Sequence, residues 1–502
     1  MPLITTRRAA ALLSAALFAI GGPAGAQGTA NQPRRLSLED AIRTAQNQSS
    51  IVNLARAGVT RAGGQEDQAQ SQFLPQVSAN AAYTKTLKSQ FQGLSFGGSD
   101  SGSKSATSSL TKVGFGAANQ YVIGLQASQN LLTFGRLTGQ RATAQAGRRV
   151  ADIELTAQRA QLTLDVTQAY YDAVLSDRLV AIAESSLAQT EELLRQTKVA
   201  RQVGNESEFN LLKAQVTRDN QVPVVLQART NRDVTLLRLK QMLELSLDEP
   251  IELTTKIEDS PMDGVAGIPS AGAPDTSAEH RATVRQAMEN VRAQEGQLQV
   301  ARSERYPAIS LTSGYQRLFF PTGTLPAWSD FRQNWTVGLA AQVPLFTGGK
   351  VHGDELIAEA GLQEARARAQ QARQVASLDA RIALKQLDQA EAAWKASAGT
   401  AEQAQRAYAI DQIRYAEGIS TQTDLAQSRL LLEQATVNRA QAARDLAVAR
   451  VRLALLRDLP LQQSGGGSSA PSGQSQQQSQ PQQQRPAQAT TGAPGQSGSL
   501  VP

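Results

Sequence analysis

Two His and no Cys leave this chain nearly without the residues that most often bind metals or act as nucleophiles. His280 and His352 lie far apart, with no thiolate beside either, and that spacing does not make a metal site. No phosphate-cradling loop of the P-loop type occurs, and the Ser, Asp and Glu residues form no nucleophile motif. The expectation is a protein that is not an enzyme and holds no cofactor. Asp424, six residues past Gly418, reads from the residues alone as an ordinary solvated carboxylate at a helix start, where the helix dipole favours an anion. Its chemistry is electrostatic, and its effect depends on where the chain places it.

The elements that must position it occur twice. An amphipathic run ending in Phe73-Leu74-Pro75 leads to two alternating segments, a Leu132-Thr133-Phe134-Gly135-Arg136 turn and an Ala-rich run to Gly204. The same order returns through Arg305-Tyr306-Pro307, two further alternating segments, Leu345-Phe346-Thr347-Gly348-Gly349-Lys350 and a run to Gly418. Gly135 to Gly204 spans 69 positions, and so does Gly349 to Gly418, which marks two equivalent units.

From Arg136 to Val203 there is no Pro, and at about 1.5 Å per residue the run reaches roughly 100 Å. Lys350 to Glu417 matches it. Leu155, Leu162, Val166, Ala169, Ala173 and Ala183 recur at coiled-coil spacing with small residues prominent, so these positions are read as packing. Gly204 and Gly418 end the long helices, and Ser207 and Thr421 cap return helices running to about Leu247 and Arg457. Pro223 is expected to kink or break the first of these. Shorter helices, from Leu38 to Gln72 and from Ala278 to Glu304, lead into the strands.

Aromatic residues make up only 4% of the chain, too few for several thick cores but suited to long, close-packed helices. Residues 1–26 read as a secretory signal: basic Arg7 and Arg8, apolar Ala9 to Ile20, and the small site Ala24-Gly25-Ala26. Cleavage removes two Arg and no acid, lowering the formal charge from +6 to +4, which gives no reason to expect nucleic acid. An exported chain without Cys has neither disulfides nor a site for lipid attachment. The mature chain has no apolar stretch long enough for a membrane helix, so a membrane-held form needs β-barrel strands.

Four segments alternate as barrel strands do, at about 76–84, 120–131, 308–316 and 334–345. Val77, Ala79, Ala81 and Tyr83 oppose Gln76, Ser78, Asn80 and Thr84; the other three segments repeat the scheme. Tyr83, Tyr121, Tyr315 and Trp335 fall toward the loop-proximal ends and are read as an aromatic girdle. Loops from Lys85 to Asn119 and from Gln316 to Gln333 would lie at an outer rim. Membrane barrels begin at about eight strands, so copies must associate: two would give a nearly blocked barrel, three an open bore. The resulting division is a signal at 1–26, a first repeat at 27–253, a linker at 254–277, a second repeat at 278–461 and a disordered Ser/Gln/Pro/Gly-rich tail at 462–502.

The signal, the duplicated helix-strand-strand-helix order, the Pro before each first strand, Leu345-Phe346-Thr347-Gly348-Gly349 and Tyr415-Ala416-Glu417-Gly418 together resemble the TolC outer-membrane efflux family over Leu36 to Pro460. The fold class implied is mainly α with a β-barrel part. The resemblance implies a homotrimer with a 12-stranded barrel in outer-membrane lipid and a long helical periplasmic tunnel. It also implies a periplasmic membrane-fusion adaptor and an inner-membrane pump of RND or ABC type as partners. The tips Val203, Gly204, Asn205, Glu417, Gly418 and Ile419 would then face the adaptor. Asp424 matches an aperture carboxylate; Gln427 stands where a second acid would be, and Asn210 is the first-repeat equivalent of Asp424. Tyr415 matches a gate tyrosine, and Ser420 replaces its basic partner. The function expected is a passive exit duct of a tripartite efflux system. The alternatives are the outer-membrane component of a type I secretion system and, in another class, a secreted coiled-coil scaffold or adhesin.

Overall fold

The computed structural model describes residues 34–88, 119–255, 257, 276–320 and 331–461. The signal segment, the tail, most of the linker and most of both rim loops lie outside the described residues. Two antiparallel helical hairpins dominate. In the first, α3 (Arg136–Gln202) is followed by α4 (Glu208–Met242); in the second, α6 (Lys350–Ala416) by α7 (Gln422–Ala454). The long helices α3 and α6 have 67 residues each. Each starts after a glycine in the left-handed region, Gly135 at φ 99° and Gly349 at φ 86°, a conformation that disfavours any residue with a Cβ.

The short helices differ from the sequence expectation in one respect. The run from Leu38 to Gln72 is two helices, α1 (Leu38–Gln48) and α2 (Ser50–Ser71). Ser49 divides them: its backbone is extended at ψ 124°, its hydroxyl takes the Ile51 N–H, and the Glu244 carboxylate takes the Ser50 N–H at 2.6 Å. In the second repeat a 3-10 turn at Ala278–His280 precedes α5 (Ala282–Ser303). Pro223, expected to kink or break α4, lies within a helix assigned without interruption to Met242. Its flanks explain the continuity, because Gln221 and Val225 are buried on the packed side while Pro223 itself is exposed.

Four strands form one antiparallel sheet in the order β2 (Gln76–Lys85), β3 (Asn119–Leu132), β5 (Ala308–Phe319) and β6 (Arg332–Gln342). The β3–β5 pairing joins the two repeats, while β2 and β6 are left as the edges. The register carries one set of side chains to each face. Val77 opposes Ala127, Ala79 opposes Leu125, Leu125 opposes Tyr315 and Tyr315 opposes Trp335. Asn80, Gly124, Gln316 and Asn334 line the other face in one row. The second rim loop is shorter than read, since β5 continues three residues past Gln316; β6 ends at Gln342, not 345.

A small parallel sheet, β1 (Arg34–Leu36) with β4 (Ile251–Leu253), ties the start of the chain to the end of the first hairpin. Beneath it the main core gathers Leu36, Ile42, Val52, Val166, Tyr170, Tyr171, Leu239 and Leu243. The Tyr170 hydroxyl lies 3.0 Å from the Leu36 carbonyl and 2.9 Å from the Thr255 hydroxyl, so this buried phenol is satisfied. The second repeat holds a buried ionic cluster instead: Arg281, fully buried, pairs with Asp379, which also accepts from Arg452 at 3.2 Å.

The repeats are further joined where α5 crosses α3 at two glycines. A Cβ on Gly139 would sit 2.6 Å from the Gly296 carbonyl oxygen, and one on Gly296 would sit 2.7 Å from that of Gly139. These atoms are backbone and cannot swing aside. Gly139→Val is expected to destabilise the fold by about 1–3 kcal/mol. Gly147→Ala, at a helical glycine with nothing within 4 Å, is expected to stabilise it by about 0.5–1 kcal/mol. Urea midpoints followed by helical circular dichroism check the pair.

Candidate aperture at the helical tips

Both hairpins turn by the same backbone device. Gly204 and Gly418 adopt φ 82° and φ 74°, and the N–H of the following residue reaches back five positions, Asn205 to Ala200 and Ile419 to Arg414, each at 2.8 Å. This six-to-one bond closes the last helical turn and satisfies a carbonyl otherwise left over. Val203, Gly204, Asn205, Glu417, Gly418 and Ile419 are all exposed. Among them Val203 and Ile419 present apolar side chains that are 67% and 63% accessible.

The next step differs between the repeats. Ser207 caps α4 by accepting the Asn210 N–H, and Asn210 turns its amide to Glu206 at 2.7 Å. Thr421 caps α7 by accepting the Asp424 N–H, and Asp424 returns the contact by accepting the Thr421 N–H at 3.0 Å. Asp424 is thus the acid of a reciprocal capping box. The Thr421 hydroxyl and N–H, with Arg414 and Lys213 nearby, hold its carboxyl below the usual carboxylate range. Gln427 is exposed one turn further along α7.

Three contacts tie the two tips together within one chain. Lys213 Nζ donates to Thr423 Oγ1 at 2.6 Å, Gln422 Nε2 to the Asn210 carbonyl at 3.4 Å, and the Tyr415 hydroxyl to Glu206 Oε1 at 3.4 Å. Tyr415 is half-buried, and burial is the main cause that pushes its hydroxyl pKa up. Its hydroxyl meets Glu206 and Thr197, while the Ser420 hydroxyl donates to the Asp411 carbonyl at 3.5 Å. Sequence reasoning singled out neither Lys213 nor Glu206. The duplication held the signal: moved by the 214 positions from Gly204 to Gly418, Glu206 falls on Ser420 and Lys213 on Gln427.

At the other end, the four girdle residues share one sheet face but not one row. Tyr121 lies opposite Tyr83 and Phe319, whereas Tyr315 lies opposite Leu125 and Trp335. The loop-proximal row is therefore Tyr83, Tyr121, Phe319 and Phe331, with ring centroids 4.7 Å apart in the first pair and 5.3 Å in the last. Tyr315 and Trp335 form a second row four residues deeper, about 13 Å along the strands. Their polar atoms are engaged: Trp335 Nε1 donates to Ser313 Oγ at 3.1 Å and Arg317 Nε to the Tyr315 hydroxyl at 2.9 Å.

Duplicated helical hairpins around a four-stranded sheet define the class of the TolC-like channels. Residues 41–244 and 273–457 match the Outer membrane efflux protein family, and the chain belongs to it. It is 23% identical over 370 residues to Nodulation protein T of Rhizobium leguminosarum bv. viciae, covering 71% of this chain and 73% of that protein. It is 28% identical over 247 residues, 48% of each chain, to Toluene efflux pump outer membrane protein TtgF of Pseudomonas putida. The fold is similar to the open state of the Neisseria gonorrhoeae MtrE outer membrane channel, with a TM-score of 0.68, 19% identity and coverage of 84% of this chain and 89% of that one. It is similar also to the Vibrio cholerae outer membrane protein VceC, at a TM-score of 0.66 and 18% identity, covering 83% of this chain and 95% of that one. The protein is an outer-membrane efflux channel component with a periplasmic extension.

Because the Asp424 carboxyl is held low, its contribution to the cap is complete above the usual carboxylate range and is lost as pH falls through the lowered value. Amide protection in the first turn of α7, corrected for intrinsic exchange, is expected to be flat from neutral pH to about pH 5 and to fall below the ordinary range. Asp424→Ala is expected to lower that protection wherever the carboxylate is ionised and to remove the acid step, so that the two forms converge below it.

Proposed function

We propose that three copies of this chain form a passive exit duct across the outer membrane, with twelve strands in the wall and the helical hairpins as a periplasmic tunnel. The observation that carries the reading is the sheet: one apolar face, one polar face and, among the described residues, two unpaired edges. A lipid-facing wall needs every backbone group paired, so the edges must meet other strands. Strand directions suit this, because β2 and β6 run oppositely across the four antiparallel strands and copies can continue the alternation. Gln76, Ser78, Asn80, Gln126, Thr312, Gln316 and Thr336 would line a wet bore, with the row of Tyr83, Tyr121 and Phe319 in the lipid face near its outer boundary and Tyr315 and Trp335 deeper in that face.

At the far end the six hairpin tips form the entrance. Three Asp424 carboxylates around the axis favour cations, tempered by Lys213 and Arg414, which also lower the pKa of Asp424. Tyr415, held to Glu206, and Ser420 are the gate candidates, with Gln427 and Asn210 on the aperture. The exposed tips Val203 to Asn205 and Glu417 to Ile419 fit a periplasmic membrane-fusion adaptor, through which an inner-membrane pump of RND or ABC type supplies the energy. A toluene efflux pump among the relatives supports export of small compounds over polypeptide secretion.

Purified protein added to a planar bilayer is expected to give stepwise conductance that prefers cations, and Asp424→Ala is expected to weaken that preference. Silence from both forms would sink the duct. Lys213→Gln is expected to shift selectivity the other way, toward cations, as read by reversal potentials in a salt gradient.

A further inference from the structure

We infer that the interface between copies repeats the contact between the two halves of one chain, so that Gly64 of one copy seats against Gly353 of the next. The inference rests on the proposed trimer and specifies its register. The internal mapping is tight. Gly135 to Gly349 and Gly204 to Gly418 are both shifts of 214, while Pro75 to Pro307, ahead of the strands, is a shift of 232. Applied together, these shifts carry the β2–β3 pairing of Gln76 with Ser128 onto the β5–β6 pairing of Ala308 with Gln342, which is the pairing observed.

Within the chain, α5 packs on its own long helix α6 and also on α3 of the first repeat, through Gly139 and Gly296. The same shifts move Gly139 onto Gly353 and Gly296 onto Gly64. In one chain a Cβ added at Gly64 or at Gly353 would meet nothing within 4 Å, so the backbones that should meet are both bare. The surroundings agree. Ala146 is fully buried under the α3–α5 contact, whereas its equivalent Ala360 is exposed, and Leu356 and Ile357 beside Gly353 are 52% and 73% accessible. A second copy's α2 lying on α6 would cover them.

The strand edges are consistent with the same mapping. The β3–β5 pairing, shifted in the same way, brings β6 against β2 of the next copy with Leu339 opposite Tyr83 and Ala341 opposite Ala81. That register keeps both members of each pair on the apolar face, as a continuous wall requires.

Adjacent glycines make the test selective. Gly63 maps onto Glu295, a long side chain that the second repeat accommodates, and Gly64 maps onto buried Gly296. Gly64→Gln is expected to reduce trimer in detergent by roughly tenfold or more, with helical content kept, and Gly63→Gln to leave assembly unchanged. Since the chain has no Cys, Ala81→Cys with Ala341→Cys and a short thiol crosslinker reads the register directly; covalent trimers are expected. Ala82→Cys with Ala341→Cys places the thiols on opposite faces and is expected to give none. Full assembly of Gly64→Gln, or crosslinking by the second pair in place of the first, overturns the inference while leaving the trimer standing. A wild-type chain that stays monomeric in detergent overturns the trimer itself.

Discussion

The structure depends on the backbone hydrogen bonds that one chain cannot make. Two edges of a four-stranded sheet, β2 and β6, each hold a row of outward N–H and C=O groups without strand partners among the described residues. In water such edges invite aggregation, and in the hydrocarbon layer each unpaired group costs several kcal/mol. Every other feature of the sheet follows from meeting that demand. In the proposed trimer lipid covers the apolar face, the closed wall surrounds water on the polar face, and identical copies present complementary edges to one another.

The duplication explains both the regularity and the departures from it. Equal helices of 67 residues, ended by the same left-handed glycine, bring both hairpins to the same level. The repeats differ at their tips: Asp424 answers Asn210, Lys213 answers Gln427 and Glu206 answers Ser420, so a charged group in one repeat faces a neutral equivalent in the other. The same holds in the middle of the helices, where the first repeat closes on Tyr170 and a small sheet and the second on buried Arg281 and Asp379. In the proposed trimer, six similar units would thereby acquire the lower symmetry of three copies.

Much of this was legible in the sequence, because strict alternation and paired glycines are strong local signals. The alternation of Val77 to Tyr83 and of Trp335 to Val343 needs no tertiary information. The alternation is broken where the apolar face carries Ser313 and Arg317, which bond to Trp335 and Tyr315, and that break hides the continuation of the third strand past Gln316 to Phe319. Strands of three residues, such as Arg34–Leu36, are too short to show a period. Pro223 does not break its helix, since packing on either side of it outweighs a single missing N–H. The ties of Tyr415 to Glu206 and Lys213 to Thr423 join residues about two hundred positions apart, and only the fold brings them within reach.

Hydrogen exchange on the detergent-solubilised protein examines the central demand most directly. If copies close the wall, the outward-pointing amides of Gln76–Lys85 and Arg332–Gln342 exchange as slowly as those of the interior strand Asn119–Leu132. Rapid exchange confined to those outward amides, with the interior strands protected, would mean that the edges stay open and that the closed barrel does not form.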